Sequence, residues 1–173
     1  MNAAATARTA AYLLAVLVAT ASMVAGSGSL RAIPAGADEL LQRAEVALAN
    51  GNPRAAHEAW EEAYRKARHA RATDELLAVG HAYLRIGEAV RDRSTAVASA
   101  RQVYLTALLQ SRERREAAGV AAAAAAFASL GDREMADRGF AIATAIATDR
   151  GDAAARERIA ALRTRMTDAR LTR

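Results

Sequence analysis

NGNPRAAHEAWEEAYRKA, residues Asn50 to Ala67, is the stretch whose reading decides the fold. Asn50-Gly51-Asn52 is a turn, with Gly51 free to take positive φ. Asn52 stands as an N-cap and Pro53 sits at the first helical position, where its missing N–H costs nothing. Ala56, Ala59, Trp60, Ala63 and Ala67 then fall on one helical stripe. Small residues around one large aromatic fit a helix held closely between two others, not one lying on a broad core.

Working outward, the pattern stays helical from Asp38 onward. A first helix buries Leu40, Leu41, Ala44, Val46, Ala47 and Leu48 and ends at Asn50-Gly51. The second is Pro53 to about Arg68. Thr73 is expected to cap a third, with Asp74 and Glu75 in its first turn. It buries Leu76, Val79, Gly80, Tyr83, Leu84 and Ile86, and Gly87 follows. Ser94 is expected to cap a fourth, to about Ser111, buried through Val97, Ala100, Val103, Tyr104, Ala107 and Leu108. A fifth, from about Glu113 to Leu130, is nearly all alanine between Val120 and Phe127. Asp132 caps a sixth with Ala136, Phe140, Ala143 and Ile146. Asp152 caps a last, charged helix with a thin stripe of Ile159, Leu162 and Met166.

The chain repeats itself. Gly51, Ala56, Trp60 and Ala63 have the spacing of Gly131, Ala136, Phe140 and Ala143. Ala100, Tyr104 and Ala107 give a partial third copy. Leu76-x2-Val79-Gly80-x2-Tyr83 stands before Gly87 as Val120-x2-Ala123-Ala124-x2-Phe127 stands before Gly131, and Leu40-x2-Arg43-Ala44-x2-Ala47 before Gly51. Units begin near 37, 73 and 117, with an insertion of about eight residues near Glu88–Thr95 making the steps unequal.

These motifs resemble the tetratricopeptide repeat, a helix–turn–helix unit, across residues 37 to 150. Leu76 stands where that motif has Trp, Arg43 and Ala47 depart from it in the first unit, and no unit ends in proline. The resemblance implies an all-α fold: a right-handed superhelix of antiparallel helix pairs, with 151–173 as capping helix and tail. Arg156, Arg158, Arg163 and Arg165 are then solvent-facing. In the family the first helix of each pair lines a concave peptide groove. Carried over, that face is Leu41, Glu45, Leu48 and Ala49 in the first unit. It is Asp74, Leu77, His81, Leu84 and Arg85 in the second, and Ala118, Ala121, Ala125, Ala128 and Ser129 in the third. Family members that grip a C-terminal carboxylate use Lys, Asn and Arg there. Only Arg85 is of that kind, which argues against such a clamp. The smooth alanine end suits an apolar helical segment.

Ahead of the repeats, Ala10 to Ala25 is an uninterrupted apolar run, and 26–36 is a linker rich in Gly and Ser with Pro34. The run has the length of a signal-peptide core and is short for a membrane span of about 20 residues. Ala19-Thr20-Ala21 and Ala35-Gly36-Ala37 have the form a signal peptidase accepts. Residues 1–25 are therefore expected to be a cleaved signal or a membrane anchor, which would put the repeats outside the cytoplasm, periplasmic or secreted. The competing reading is a buried helix of a cytoplasmic protein, against which stands the lack of any polar face.

Composition narrows the chemistry. There is no cysteine, which excludes disulfides, thiolate metal sites and a lipoprotein anchor. Of the 24 Lys and Arg, Arg8 and Arg31 precede residue 37, leaving 22 against 19 acids, with the signs interleaved. A nucleic-acid partner is not expected from that balance. No phosphate loop, G-x-S-x-G or nucleophile constellation is present, so no enzyme activity and no cofactor is expected. His57-Glu58-x-x-Glu61 departs from the zinc-protease H-E-x-x-H in its last residue, and is read as an exposed His–Glu pair. The expected function is an exported adaptor binding a protein or peptide. The alternative is a structural protein that self-associates through the alanine helix 117–130.

Overall fold

The fold is built from turns of a single kind. In the computed structural model, which describes residues 36–171, seven helices run α1 (Ala37–Ala49), α2 (Pro53–Ala70), α3 (Thr73–Ala89), α4 (Arg93–Glu113), α5 (Ala117–Leu130), α6 (Arg133–Asp149) and α7 (Ala153–Leu171). No strand occurs among the described residues. Each of the six turns contains one left-handed residue: Gly51, Gly131 and Gly151, but also Arg71, Arg91 and Arg115 at φ of 56°, 58° and 55°. In every turn the next N–H reaches back to the carbonyl five residues earlier, as Asn52 does to Ala47 and Asp132 to Phe127. This is the Schellman closure, which satisfies the last carbonyls of one helix and delivers the chain straight to the N-cap of the next.

That geometry corrects three expectations. The cap of α3 falls on Ala72 and the cap of α4 on Asp92, not on Thr73 and Ser94. The residue after the left-handed one has to be the cap, and both hydroxyl residues lie one or two places further on. Gly87 does not end α3. It lies buried inside it, and a Cβ there would stand 2.1 Å from Cβ of Ala96. The expected eight-residue insertion is one added turn on each of α3 and α4. They have 17 and 21 residues, where α1 and α5 have 13 and 14 and α2 and α6 have 18 and 17. Asn52, Asp92, Asp132 and Asp152 each accept a hydrogen bond from the backbone N–H three residues on.

Each helix packs on the next, and the odd-numbered helices also pack on one another in order, α1 on α3, α3 on α5 and α5 on α7. The small–large–small stripes do what their spacing requires. Ala56 and Ala63 flank Trp60, Ala100 and Ala107 flank Tyr104, Ala136 and Ala143 flank Phe140, and all nine are buried. An aromatic of an even helix meets one of the following odd helix twice over. Trp60 lies 4.2 Å from Tyr83 between ring centroids, and Tyr104 lies 6.0 Å from Phe127. Beside Gly80, Tyr104 takes the space a side chain would need, since a Cβ there would fall 2.2 Å from its ring.

Charged side chains join neighbouring helices. The left-handed Arg71 binds Glu113 at the end of α4, and the left-handed Arg115 binds Asp149 at the end of α6. The third inter-pair turn carries Gly151 instead. Below Arg71, the Thr73 and Ser111 hydroxyls bond at 2.7 Å in a buried site. Arg114 donates to Thr73 Oγ1 while pairing with both oxygens of Glu116. That pairing holds the Glu116 carboxyl below its usual range.

α5 begins at Ala117, not near Glu113, because the Arg114-Arg115-Glu116 turn separates it from α4. Val46, expected in the core, is 60% exposed. In α7, Ile159 is buried and Leu162 and Met166 pack against the core, while Arg156, Arg158, Arg163 and Arg165 face solvent. The expected signal or anchor segment and the expected linker up to residue 35 lie outside the described residues. Among the described helices none is long and apolar enough to cross a membrane.

Candidate binding face on the odd-numbered helices

An odd-numbered helix in the middle of this row is surrounded on most of its circumference, so only a narrow stripe reaches solvent. Counted from the first residue of each odd helix, that stripe is positions 2, 6, 9 and 13, a spacing that keeps to one helical face. On α1 it is Asp38, Gln42, Glu45 and Ala49, all exposed. On α3 it is Asp74, Ala78, His81 and Arg85, with Ala78 half-buried. On α5 it is Ala118, Ala122, Ala125 and Ser129, the middle two half-buried. On α7 the equivalent residues are Ala154, Arg158, Ala161 and Arg165, all exposed.

Two observations place the stripes of α1, α3 and α5 on a shared surface, and α7 packs on α5 as the next helix in the row. Arg85 of α3 reaches across to the carboxylate of Glu45 on α1. A depression of about 910 Å³ spans the start of α3 and α5, lined by Asp74, Ala118 and Ala122 together with Thr73, Arg114 and Gly119.

The residues carried over from the sequence to this face divide by exposure. Glu45, Asp74, His81 and Arg85 are on the surface, and so are Ala49, Ala118 and Ser129. Leu41, Leu77 and Ala121 are 8%, 9% and 3% exposed and belong to the core, as does Ala128. Leu48, Leu84 and Ala125 are half-buried and pack against that core. The correction amounts to one residue of helical rotation. Gln42, Ala78 and Ala122 stand at the surface where Leu41, Leu77 and Ala121 were expected. Packing on both flanks takes the leucines, so the face is less apolar than the carried-over pattern implies. Arg158 and Arg165 were read only as cap residues. Counting from the Asp152 cap would have aligned them with Ala122 and Ser129.

The electrostatics of the face centre on Arg85. His81 beside it, exposed at its edge, is held below its ordinary value first by partial desolvation and then by the Arg85 charge, which favours the neutral imidazole. Under His81 lies Tyr104, its ring 5.5 Å away edge-on. The Tyr104 hydroxyl is buried with no hydrogen-bond partner among the described residues. Burial pushes it up to about 12.

His57 is not on this face. It is half-buried on α2, 3.3 Å from Glu61 Oε1, and stacks on Trp60 with a centroid distance of 5.8 Å. The pair is exposed as expected, with side chains 44% and 59% accessible, although Trp60 and Tyr83 cover the imidazole from one side. No group of three or more His, Asp and Glu among the described residues is placed to hold a metal ion. No protein-family model matches the chain, and no curated protein matches it.

Proposed function

We propose that residues 37–171 form a tetratricopeptide-like scaffold whose row of helix pairs winds as a right-handed superhelix. It takes a segment of another protein on the stripe shared by α1, α3, α5 and α7. The observation that carries this reading is the stripe itself. On α3 and α5 the same four helical positions reach solvent wholly or in part, while packing takes the positions beside them, and the equivalent positions of α1 and α7 are exposed. A surface that recurs in register along a row of packed helices is an extended platform, suited to a polypeptide more than to a small molecule. Its action is binding, not catalysis. The apolar run Ala10 to Ala25 supports an extracytoplasmic place for the domain, as a secreted or membrane-tethered protein.

The test is a photo-crosslinking amino acid placed in living cells at Ala122 or Arg85, with Glu58 on α2 as the control position. The expected outcome is discrete protein adducts from the two face positions that disappear when Ala125→Arg is added. Equal adducts from Glu58, or adducts insensitive to Ala125→Arg, would overturn the reading. Leu77→Asp is unsuited to the purpose, since Leu77 is buried and a carboxylate there would unfold the domain.

Self-association is the second reading, through a surface other than the alanine helix. Ala121, Ala123, Ala124, Ala126 and Ala128 are buried within the fold, so the alanine helix has little left to offer. The outer flank of α1 carries the exposed Val46 over a depression of about 500 Å³ lined also by Gln42, Arg43 and Ala47. On α3, α5 and α7 the corresponding flank is covered by the preceding helices, which favours end-to-end stacking of copies. Sedimentation velocity across a concentration series, with Val46→Glu as comparison, decides it. A strict monomer at every concentration removes this reading.

A further inference from the structure

We infer that the segment bound on this face carries charge of both signs, with a basic stretch over α1 and α3 and an acidic stretch over α7, separated by small uncharged residues. The inference rests on the groove reading above and deepens it. It comes from the way charge is laid out along the stripe. At the α1–α3 end stand Asp38 and Asp74, both exposed and neither with an ion-pair partner among the described residues. In the middle, α5 has no charged side chain at all from Ala117 to Leu130. At the far end stand Arg158 and Arg165, both exposed. Arg165 Nε donates only to the carbonyl of Ala161, at 3.4 Å, and neither arginine has a carboxylate partner among the described residues. Their neighbour Arg163, on the other flank of α7, is taken by Asp137 of α6.

The face thus runs from acidic, through a smooth neutral floor, to basic. A polyelectrolyte of one sign gains at one end and is repelled at the other, whereas a segment of opposite polarity gains at both. The neutral floor admits only small side chains close to the backbone of α5. Its depth is set by Ala118 and Ala122, which line the depression beside Asp74. From α3 to α7 there are two helix-to-helix steps of about 10 Å each, so the charged ends are about 20 Å apart. A helical ligand spans that with about 13 residues between its charged blocks.

The experiment uses the full chain and four labelled synthetic peptides read by fluorescence anisotropy at low ionic strength. All share an alanine-rich middle of about 13 residues. One carries three Glu at one end and three Lys at the other, one carries Glu at both, one Lys at both and one Gln at both. The mixed peptide is expected to bind at least about tenfold more tightly than any other, as several exposed pairs of modest strength combine. In the double variant Arg158→Glu, Arg165→Glu the preference is expected to pass to the peptide with Lys at both ends, with an unchanged thermal melt. A mixed peptide no tighter than the single-sign peptides, or a preference unmoved by charge reversal on α7, overturns the inference. Binding of none of the four overturns it as well. The groove reading fails separately. If Ala122→Arg, which obstructs the floor, leaves peptide binding intact, the site is elsewhere. If it abolishes binding in a protein that shows no preference for mixed charge, the groove stands and its polarity does not.

Discussion

Trp60 holds two helices at once. Its ring is buried among alanines of α2, and its indole N–H donates to the carbonyl of Val79 on α3 at 2.8 Å. Trp60→Ala removes a large ring from a site whose neighbours cannot collapse into it, and should cost about 3–5 kcal/mol in urea unfolding. An unchanged midpoint would sink this account of the packing. Tyr104 is the opposite case. Its ring fills the gap left by Gly80, but its hydroxyl is buried without a partner. Tyr104→Phe keeps the shape and removes the unsatisfied group, so stability should rise by about 1 kcal/mol. The raised phenol also fixes a sign. Because the ionised form is disfavoured when folded, its contribution is fully present below the unfolded value of 10 and is lost as pH rises toward about 12. Tyr104→Phe should lack that alkaline loss in a pH series of melting temperatures.

At the scale of elements, the turns and the tight helix crossings are what the chain specifies most firmly. Six turns share one backbone, yet only three use glycine at the left-handed position. An arginine there carries a steric cost of about 1–2 kcal/mol. At Arg71 and Arg115 an ion pair to the next even-numbered helix comes with it, whereas Arg91 has no such pair among the described residues. Arg91→Gly should therefore stabilise slightly, by up to about 0.5 kcal/mol, since strain relief exceeds the entropy that glycine adds to the unfolded chain. A clear loss of stability would show that Arg91 does something beyond closing the turn. Gly87 is a crossing, not a turn. A methyl group there meets Cβ of Ala96 at 2.1 Å and the Asp92 carbonyl at 2.9 Å. Gly87→Ala should cost about 1–3 kcal/mol, measured by thermal unfolding, because the added turns of α3 and α4 would have to part. An alanine variant as stable as the parent would mean that they are not in contact.

Among the described residues each helix packs mainly on near neighbours, so stability should vary along the row. α3, α4 and α5 are covered on both sides. α1 leaves Val46 open, and α7 buries only a narrow stripe through Ala155 and Ile159. Native-state hydrogen exchange is expected to be slowest in α4 and α5 and fastest in α7. Uniform protection from α1 to α7 would show one cooperative block instead of a row of units. The proposed binding face belongs to this scale: no single helix carries it, and in that proposal residues from Asp38 to Arg165 share it through the register of the row.

The number and type of helices, the three small–large–small stripes, three of the four Asx caps (Asn52, Asp132 and Asp152, but not Asp92) and the aromatic anchors were legible in the amino-acid sequence. They rest on local geometry: helical periodicity, glycine at a left-handed turn, and carboxamide or carboxylate at an N-cap. Thr73 and Ser94 misled because a hydroxyl near a helix start is an ordinary cap, while the cap here is dictated by the turn before it. Gly87 misled because a glycine that ends a helix and one that lets two helices touch look alike in one dimension. Which of Leu41 or Gln42, Leu77 or Ala78, Ala121 or Ala122 faces solvent was decided only by the tertiary structure. Adjacent positions on a helix differ by about 100° in direction. Whether that angle points at water or at a neighbour depends on helices far away in the chain.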